Sequence, residues 1–206
     1  MPTPDKPAGI ILAGGRATRM GGGDKGLLRL GPKRLIDHVL DRLAPQCGPI
    51  ALSANGDPAR FGDLGLPVLP DMQTGYPGPL AGILAGMEWA ATLGHHTVVS
   101  VAADTPFFPT DYVAQLVRAQ TPGTPVLAAS DDGDRLWRQP TFGMWPVDLR
   151  DDLRTTLANG QFKVSDWADR HAALVVAFST RDGDPFFNVN RPADLDAAHR
   201  RLGQSG

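Results

Sequence analysis

Ile10-Ile11-Leu12-Ala13-Gly14-Gly15-Arg16-Ala17-Thr18-Arg19-Met20-Gly21-Gly22-Gly23-Asp24-Lys25 is the stretch around which this chain is organised. An apolar run of strand type ends abruptly in a loop with five glycines, two arginines and a lysine. Glycine adopts positive φ and lets backbone N–H groups approach a ligand without Cβ clashes. Successive N–H groups of this kind form an anion-binding concavity. Arg16, Arg19 and Lys25 add positive charge where a polyphosphate would lie. The stretch therefore reads as a nucleoside triphosphate cradle. It is not a P-loop, because Lys25 stands between Asp24 and Gly26. The dinucleotide fingerprint also fails, because Gly14 and Gly15 are adjacent. A plain surface connection is the alternative, but ordinary βα loops run about 2–6 residues.

Outward from the cradle, apolar strands alternate with amphipathic helices. Ala8–Ala13 is continuously apolar, as a buried parallel strand is. Leu35, Val39, Leu40 and Leu43 recur at helical spacing until Pro45. Pro49–Ser53 and Leu66–Pro70 read as short strands, and Thr97–Ala102 as the clearest one. A Gly/Pro loop, Gly75–Pro79, opens a helix through Ala91, in which Gly82 and Gly86 would permit close approach to a sheet. Asp111–Ala119, Val147–Ala158, Lys163–Arg170 and Ala193–Leu202 read as helices. Pro125–Ser130, Pro140–Trp145 and Ala173–Phe178 read as strands. The alternation predicts an α/β fold with a mostly parallel sheet and helices on both faces. No linker or repeat divides the chain, so residues 1–206 are expected to form a single domain.

Composition narrows the function classes. The net charge of −2 offers no nucleic-acid surface. A single cysteine, Cys47, excludes an internal disulfide or a cysteine-based metal cluster, and it reads as a helix-end residue. No apolar run approaches the ~20 residues of a membrane span, and Met1–Pro7 lacks a signal-peptide core. A cytoplasmic protein is expected.

Ligands of open α/β sheets bind outside the carboxyl ends of the strands. The glycine loop, Asp71 and Asp104 all follow predicted strands, so they should converge there. Asp104 in Ala103-Asp104-Thr105-Pro106 is placed to hold Mg²⁺, which takes one or two carboxylates plus substrate phosphates. A turn or cap aspartate is the alternative. Lys25 and Arg19 each either lie on a triphosphate or pair with Asp24 in solvent. Asn188 and Asn190, at i and i+2 on an extended segment, present amides to one face or form a strand end and helix cap.

Leu12-Ala13-Gly14-Gly15 through Arg19-Met20-Gly21 and Asp24-Lys25 resembles the signature loop of nucleotidyltransferases. It is most similar to that of the molybdenum cofactor guanylyltransferase (MobA) family. Asp104-x-Pro106, Gly78-Pro79-Leu80-Ala81-Gly82 and Asn188-x-Asn190-x-Pro192-x-Asp194 match further motifs in order, from about Gly9 to Asp194. The resemblance implies a three-layer Rossmann-like nucleotidyltransferase fold. It implies transfer of GMP from GTP to molybdopterin, with Mg²⁺ and release of pyrophosphate.

Carried over residue by residue, it gives Arg19, Lys25 and Asp104 as catalytic groups and Asp104 as the metal ligand. It gives Leu12, Ala13, Gly14, Gly15, Arg19, Lys25, Ser53, Asn55, Asp71, Gly78 and Asp104 as the nucleotide site. Ser53 departs from the pattern, standing where an asparagine is expected. The C-terminal half is expected to hold the acceptor through Lys163, Asn188 and Asn190. Lys163 in a helix's first turn is electrostatically misplaced unless an anion also sits there; a solvated lysine is the alternative. Expected partners are GTP and molybdopterin, and by extension proteins of cofactor biosynthesis or molybdoenzyme chaperones. The rivals are a transferase using CTP on the same pterin, one acting on a sugar phosphate, and a carrier module without chemistry.

Overall fold

The computed structural model describes residues 6–14, 24–70 and 78–204. Along the chain, β1 (Ala8–Leu12) is followed by a small hairpin, β2 (Arg29–Leu30) and β3 (Lys33–Arg34), and by helix α1 (Leu35–Leu43). Then come β4 (Ile50–Ser53), β5 (Val68–Leu69), α2 (Pro79–Thr92), β6 (Thr97–Ala102) and α3 (Tyr112–Ala119). The remainder is β7 (Val126–Asp131), β8 (Leu136–Pro146), α4 (Arg150–Ala158), α5 (Val164–Arg170), β9 (Leu174–Ser179) and α6 (Pro192–Gly203).

Seven strands form one sheet in the order β5-β4-β1-β6-β8-β7-β9. Pairings β5–β4, β4–β1, β1–β6 and β7–β9 are parallel; β8 runs antiparallel to both neighbours. Side chains alternate across the sheet, and each side is covered. Ile11, Leu52, Val99 and Val101 face α1 and α3. Ile10, Ala51 and Val98 face α2, α4 and α5. This is the expected three-layer architecture, and it explains why β1 is apolar at every position.

Helix α2 lies unusually close to the sheet. A Cβ on Gly82 would come within 2.5 Å of Ser53 Oγ and 2.8 Å of Leu12 Cδ2; one on Gly86 would come within 3.0 Å of Ile10. The close seat brings the N-terminus of α2 down to the carboxyl ends of β1 and β4.

Strand β8 begins four residues earlier than the expected Pro140. Asp132 closes the β7–β8 turn by accepting the N–H groups of Asp134 and Arg135 at 3.0 and 2.8 Å. Pro140 is tolerated because the ladder breaks there: Leu127 pairs with Gly143, but the next residue, Ala128, pairs with Gln139. Cys47 is buried just beyond α1, and burial pushes its thiol up to about 12, as befits a packed helix-end residue. No helix among the described residues is long and apolar enough to cross a membrane.

The carboxyl ends of β5, β4, β1 and β6 stay in register past their last residues. Ala13 N–H donates to Ser53 O at 2.8 Å, Ala54 N–H to Leu69 O at 3.0 Å, and Ala103 N–H to Leu12 O at 3.0 Å. Ala13, Ala54 and Ala103, the first residues beyond β1, β4 and β6, therefore lie side by side at this edge.

Candidate active site

Asp104 lies two residues beyond β6. Its side chain is 14% exposed, and Lys25 Nζ stands 3.4 Å from its Oδ2. Burial holds its carboxyl above the usual carboxylate range, although the Lys25 charge acts in the opposite direction. Lys25 also donates to Asn190 Oδ1, and Asp104 O accepts the N–H of Val189 at 2.9 Å. Residues separated by up to 165 positions thus meet at one point on the sheet edge.

Local sequence explains each approach. Lys25 opens a single 3-10 turn, Lys25–Leu27, closed by Leu27 N–H to Asp24 O at 3.1 Å. Gly26 lets this turn lie against the end of β6: a Cβ there would stand 3.0 Å from Ala103 Cβ. On the other side, Asp194 Oδ2 accepts the N–H groups of Asn190 and Arg191 at 2.9 and 2.8 Å. With Pro192 in the first turn, this fixes the start of α6. The Asn-x-Asn-x-Pro-x-Asp motif thus divides its work. Asp194 and Pro192 shape the backbone, Val189 is buried, and Asn190 meets Lys25, whereas Asn188 remains exposed.

The alternative of a Lys25–Asp24 pair is not what forms. The Asp24 carboxylate is taken by Arg60, whose Nε lies 2.5 Å from Oδ2 and Nη2 3.5 Å from Oδ1. Arg60 also donates to the carbonyl oxygens of Asn55, at 2.5 Å, and Asp57. Sequence reasoning did not single out Arg60. The one local signal was Asp57-Pro58, which opens a 3-10 segment, Pro58–Leu64, with the Asp57 side chain accepting Ala59 N–H at 2.9 Å.

Of the other expected site residues, Leu12 ends β1, Ala13 and Gly14 continue from it, and Gly14 is exposed with open space around its Cβ position. Ser53 is only 4% exposed, pressed beneath Gly82 of α2. Asn55 is exposed on the turn after β4. Gly78 precedes α2 and faces the Phe162 carbonyl, 3.7 Å from its Cβ position. Lys163 sits at the cap of α5, one position ahead of the expected first turn. It is 81% exposed, with Asp166 Oδ2 at 4.0 Å. Gly15, Arg16, Arg19 and Asp71 lie outside the described residues.

The cluster suits phosphate chemistry. Lys25 and Asn190 present donors beside a shielded carboxylate. Among the described residues, no group of three or more His, Cys, Asp or Glu forms a metal cage. Asp104 supplies a carboxylate oxygen beside the amide oxygen of Asn190, which fits Mg²⁺ taking one or two protein oxygens and completing its shell from phosphates and water. A cation would also relieve the burial that now disfavours the Asp104 charge.

Residues 9–185 match the family model of the MobA-like NTP transferase domain. The chain is 48% identical over 200 residues to a molybdenum cofactor guanylyltransferase of Mesorhizobium japonicum, with 95% of each chain covered. It is 46% identical to that of a Bradyrhizobium species, covering 93% of this chain and 91% of the relative. Among solved structures, molybdopterin-guanine dinucleotide biosynthesis protein A of Archaeoglobus fulgidus superposes with a TM-score of 0.70 at 23% identity, over 96% and 99% of the two chains. The synthetase of CMP:2-keto-3-deoxy-manno-octonic acid, solved with CTP, gives 0.73 at 12% identity, over 97% and 100%. These two structures share the fold.

Proposed function

The chain belongs to the MobA-like NTP transferase family, and from that premise we propose that it transfers GMP from GTP to molybdopterin, forming molybdopterin guanine dinucleotide. The observation that carries the chemistry is the meeting of Lys25, Asp104 and Asn190 at the carboxyl edge of the sheet. The choice of nucleotide and acceptor is supported by the names of relatives at 48% and 46% identity.

In this reading an oxygen of molybdopterin's terminal phosphate attacks the α-phosphorus of GTP. The new P–O bond forms as the α–β bond breaks, and the electron pair leaves with pyrophosphate. The nucleophile is already ionised at neutral pH, so no general base is required. Lys25 stabilises charge on the triphosphate, and Asn190 orients Lys25 where the donor and acceptor phosphates meet. Asp104 would hold Mg²⁺, which when bound would supply positive charge to offset that of the triphosphate. Arg19 adds charge from the glycine loop. Leu12, Ala13, Gly14, Gly15, Ser53, Asn55, Asp71 and Gly78 shape the nucleotide side, and Lys163 and Asn188 serve the acceptor. Catalysis is then positioning plus charge neutralisation. Residues 1–206 act as one domain in this scheme, in the cytoplasm where GTP is available.

Incubation with molybdopterin, Mg²⁺ and each nucleoside triphosphate in turn tests the reading through pyrophosphate release. GTP should give the highest kcat/KM. A higher value with CTP would overturn the guanylyl assignment, and no release with any triphosphate would overturn the transferase reading itself.

A further inference from the structure

Lysine is a flexible point charge, and holding its ammonium in one place costs up to about 2 kcal/mol of rotamer entropy. The reach of Lys25 to Asp104 and Asn190 therefore depends on how firmly its own backbone is held. On the C-terminal side, Gly26 packs against Ala103 at the end of β6. On the N-terminal side, the restraint is Asp24, and Asp24 is gripped by Arg60.

Arg60 is itself built into the fold. Its guanidinium makes four hydrogen bonds to protein acceptors: two to Asp24, one to Asn55 O and one to Asp57 O. It lies 4.6 Å over the ring of Phe61, which is 1% exposed in the core beneath α1. The same 3-10 segment is tied to the start of α1 by a second fork, from Arg34 to Asp63 at 2.7 and 3.2 Å. The Arg60 and Asp24 side chains are 24% and 19% exposed, so water screens the pair less than a surface pair. With four of its five N–H donors engaged on protein, Arg60 is placed to act through Asp24 rather than on a ligand.

We propose that Arg60 is a positioning residue for the triphosphate site: its fork on Asp24 fixes the backbone from which Lys25 reaches Asp104 and Asn190. The same guanidinium holds the Asn55 carbonyl, so it couples the loop after β4 to the end of the glycine loop. This rests on the reading of Lys25 as a phosphate ligand. An arginine is required because only a planar fork meets both carboxylate oxygens and the two carbonyls at once.

Two readouts test the proposal. The first is kcat/KM for GTP, by pyrophosphate release, in Arg60→Ala, Asp24→Asn and the double variant. Each single change should lower it on the order of 10- to 100-fold, as displaced positioning does. The double variant should be no worse than the poorer single one, because residues acting as a unit are not additive. Arg60→Lys, which keeps the charge without the fork, should fold normally and recover only part of the loss. Losses that multiply in the double variant would mean that Arg60 acts separately from Asp24 and overturn the proposal, as would a fully active Arg60→Ala.

The second readout needs no activity: amide hydrogen exchange of residues 24–28 in the protein alone. The Leu27 and Leu28 amides, bonded to Asp24 O and Lys25 O at 3.1 and 3.0 Å, should exchange faster in all three Ala and Asn variants, and by the same factor. Unchanged exchange would overturn the clamp even if the transferase reading failed.

Discussion

The two ends of the sheet are built to different rules. Strands β5, β4, β1 and β6 are parallel, in register to their last residues, and roofed by a helix whose glycines touch them. In the other half, β8 runs against its neighbours, the ladder jumps four residues beside Pro140, and Leu136, Trp137 and Leu174 are left exposed. The first half spends its sequence on holding a few charged groups still. Lys25, Asp104, Asp24 and Arg60 are each between 14% and 24% exposed and each paired. Lys163, proposed above for the acceptor, is 81% exposed beside an Asp166 that is 71% exposed. Fixed charges suit the triphosphate, whose bond is broken; an open surface suits recognition of a larger partner.

The strongest way to break that contrast is Asp104→Asn. Turnover should fall on the order of 10³-fold, or about 4 kcal/mol of transition-state stabilisation, in the pyrophosphate assay. Stability should move the other way. Burial raises the Asp104 carboxyl above its unfolded value, so the folded protein holds that proton more tightly than the unfolded chain. The stabilisation from proton binding is full below the unfolded value near 3.8 and is lost as pH rises through the folded value. Above the folded value the charged form is a net cost, and Asp104→Asn should raise Tm there. A lower Tm with intact turnover would place Asp104 among structural turn residues. In the wild type, the acid limb of kcat/KM should lie above the range of a solvated aspartate.

Lys25→Met comes next. Loss of one charged donor to the triphosphate should reduce kcat about 10²-fold. Here Tm should fall, because Asp104 keeps its shielding and loses its cation. Opposite signs of ΔTm for the two partners are the sharpest test that the site is strained for function rather than optimised for stability.

How the halves could be read in advance follows the same division. Thr97–Ala102 and the approach of Gly82 and Gly86 were legible because local pattern dictates them: a continuous apolar run, and small residues four apart on one helix face. Asp104 was legible because it ends such a run. The Arg60–Asp24 clamp was not, since its partners lie 36 residues apart and neither is unusual locally. The early start of β8 was hidden by Asp132-Gly133 and Pro140, which read as turn and breaker until the pairing with β7 is known. Asn190 was found by motif, but its meeting with Lys25 is a tertiary fact with no local signal.

A smaller effect tests the rigidity of the first half. Gly82→Ala puts a methyl 2.5 Å from Ser53 Oγ and 2.8 Å from Leu12 Cδ2. Overpacking of this kind costs about 1–3 kcal/mol, measurable by urea unfolding, and it should also raise KM for GTP by displacing α2. Arg138→Ala in the second half breaks only the exposed pair with Asp169, for which about 0–1 kcal/mol is expected. Equal losses would erase the distinction between the halves.

The smallest expected effect is that of Lys163→Ala. The side chain is 81% exposed, and its pair with Asp166 at 4.0 Å is an open surface contact, worth about 0–1 kcal/mol. Tm should therefore move little. Its location still argues for a ligand. Phe162, the preceding residue, places its carbonyl beside Gly78 at the start of α2, so Lys163 lies near the carboxyl edge of the sheet. It is separated in sequence and setting from the Lys25 cluster. A cation at the cap of a helix repels the helix's own N-terminal dipole, and an anion between them would satisfy both. If molybdopterin's phosphate is that anion, KM for molybdopterin should rise several-fold, roughly what one exposed charge contributes, while KM for GTP and kcat at saturation stay the same. A parallel rise in KM for GTP would move Lys163 to the nucleotide side. Unchanged kinetics with both substrates would leave it a solvated surface lysine, and the acceptor site would then have to be sought around Asn188 and the exposed start of β8.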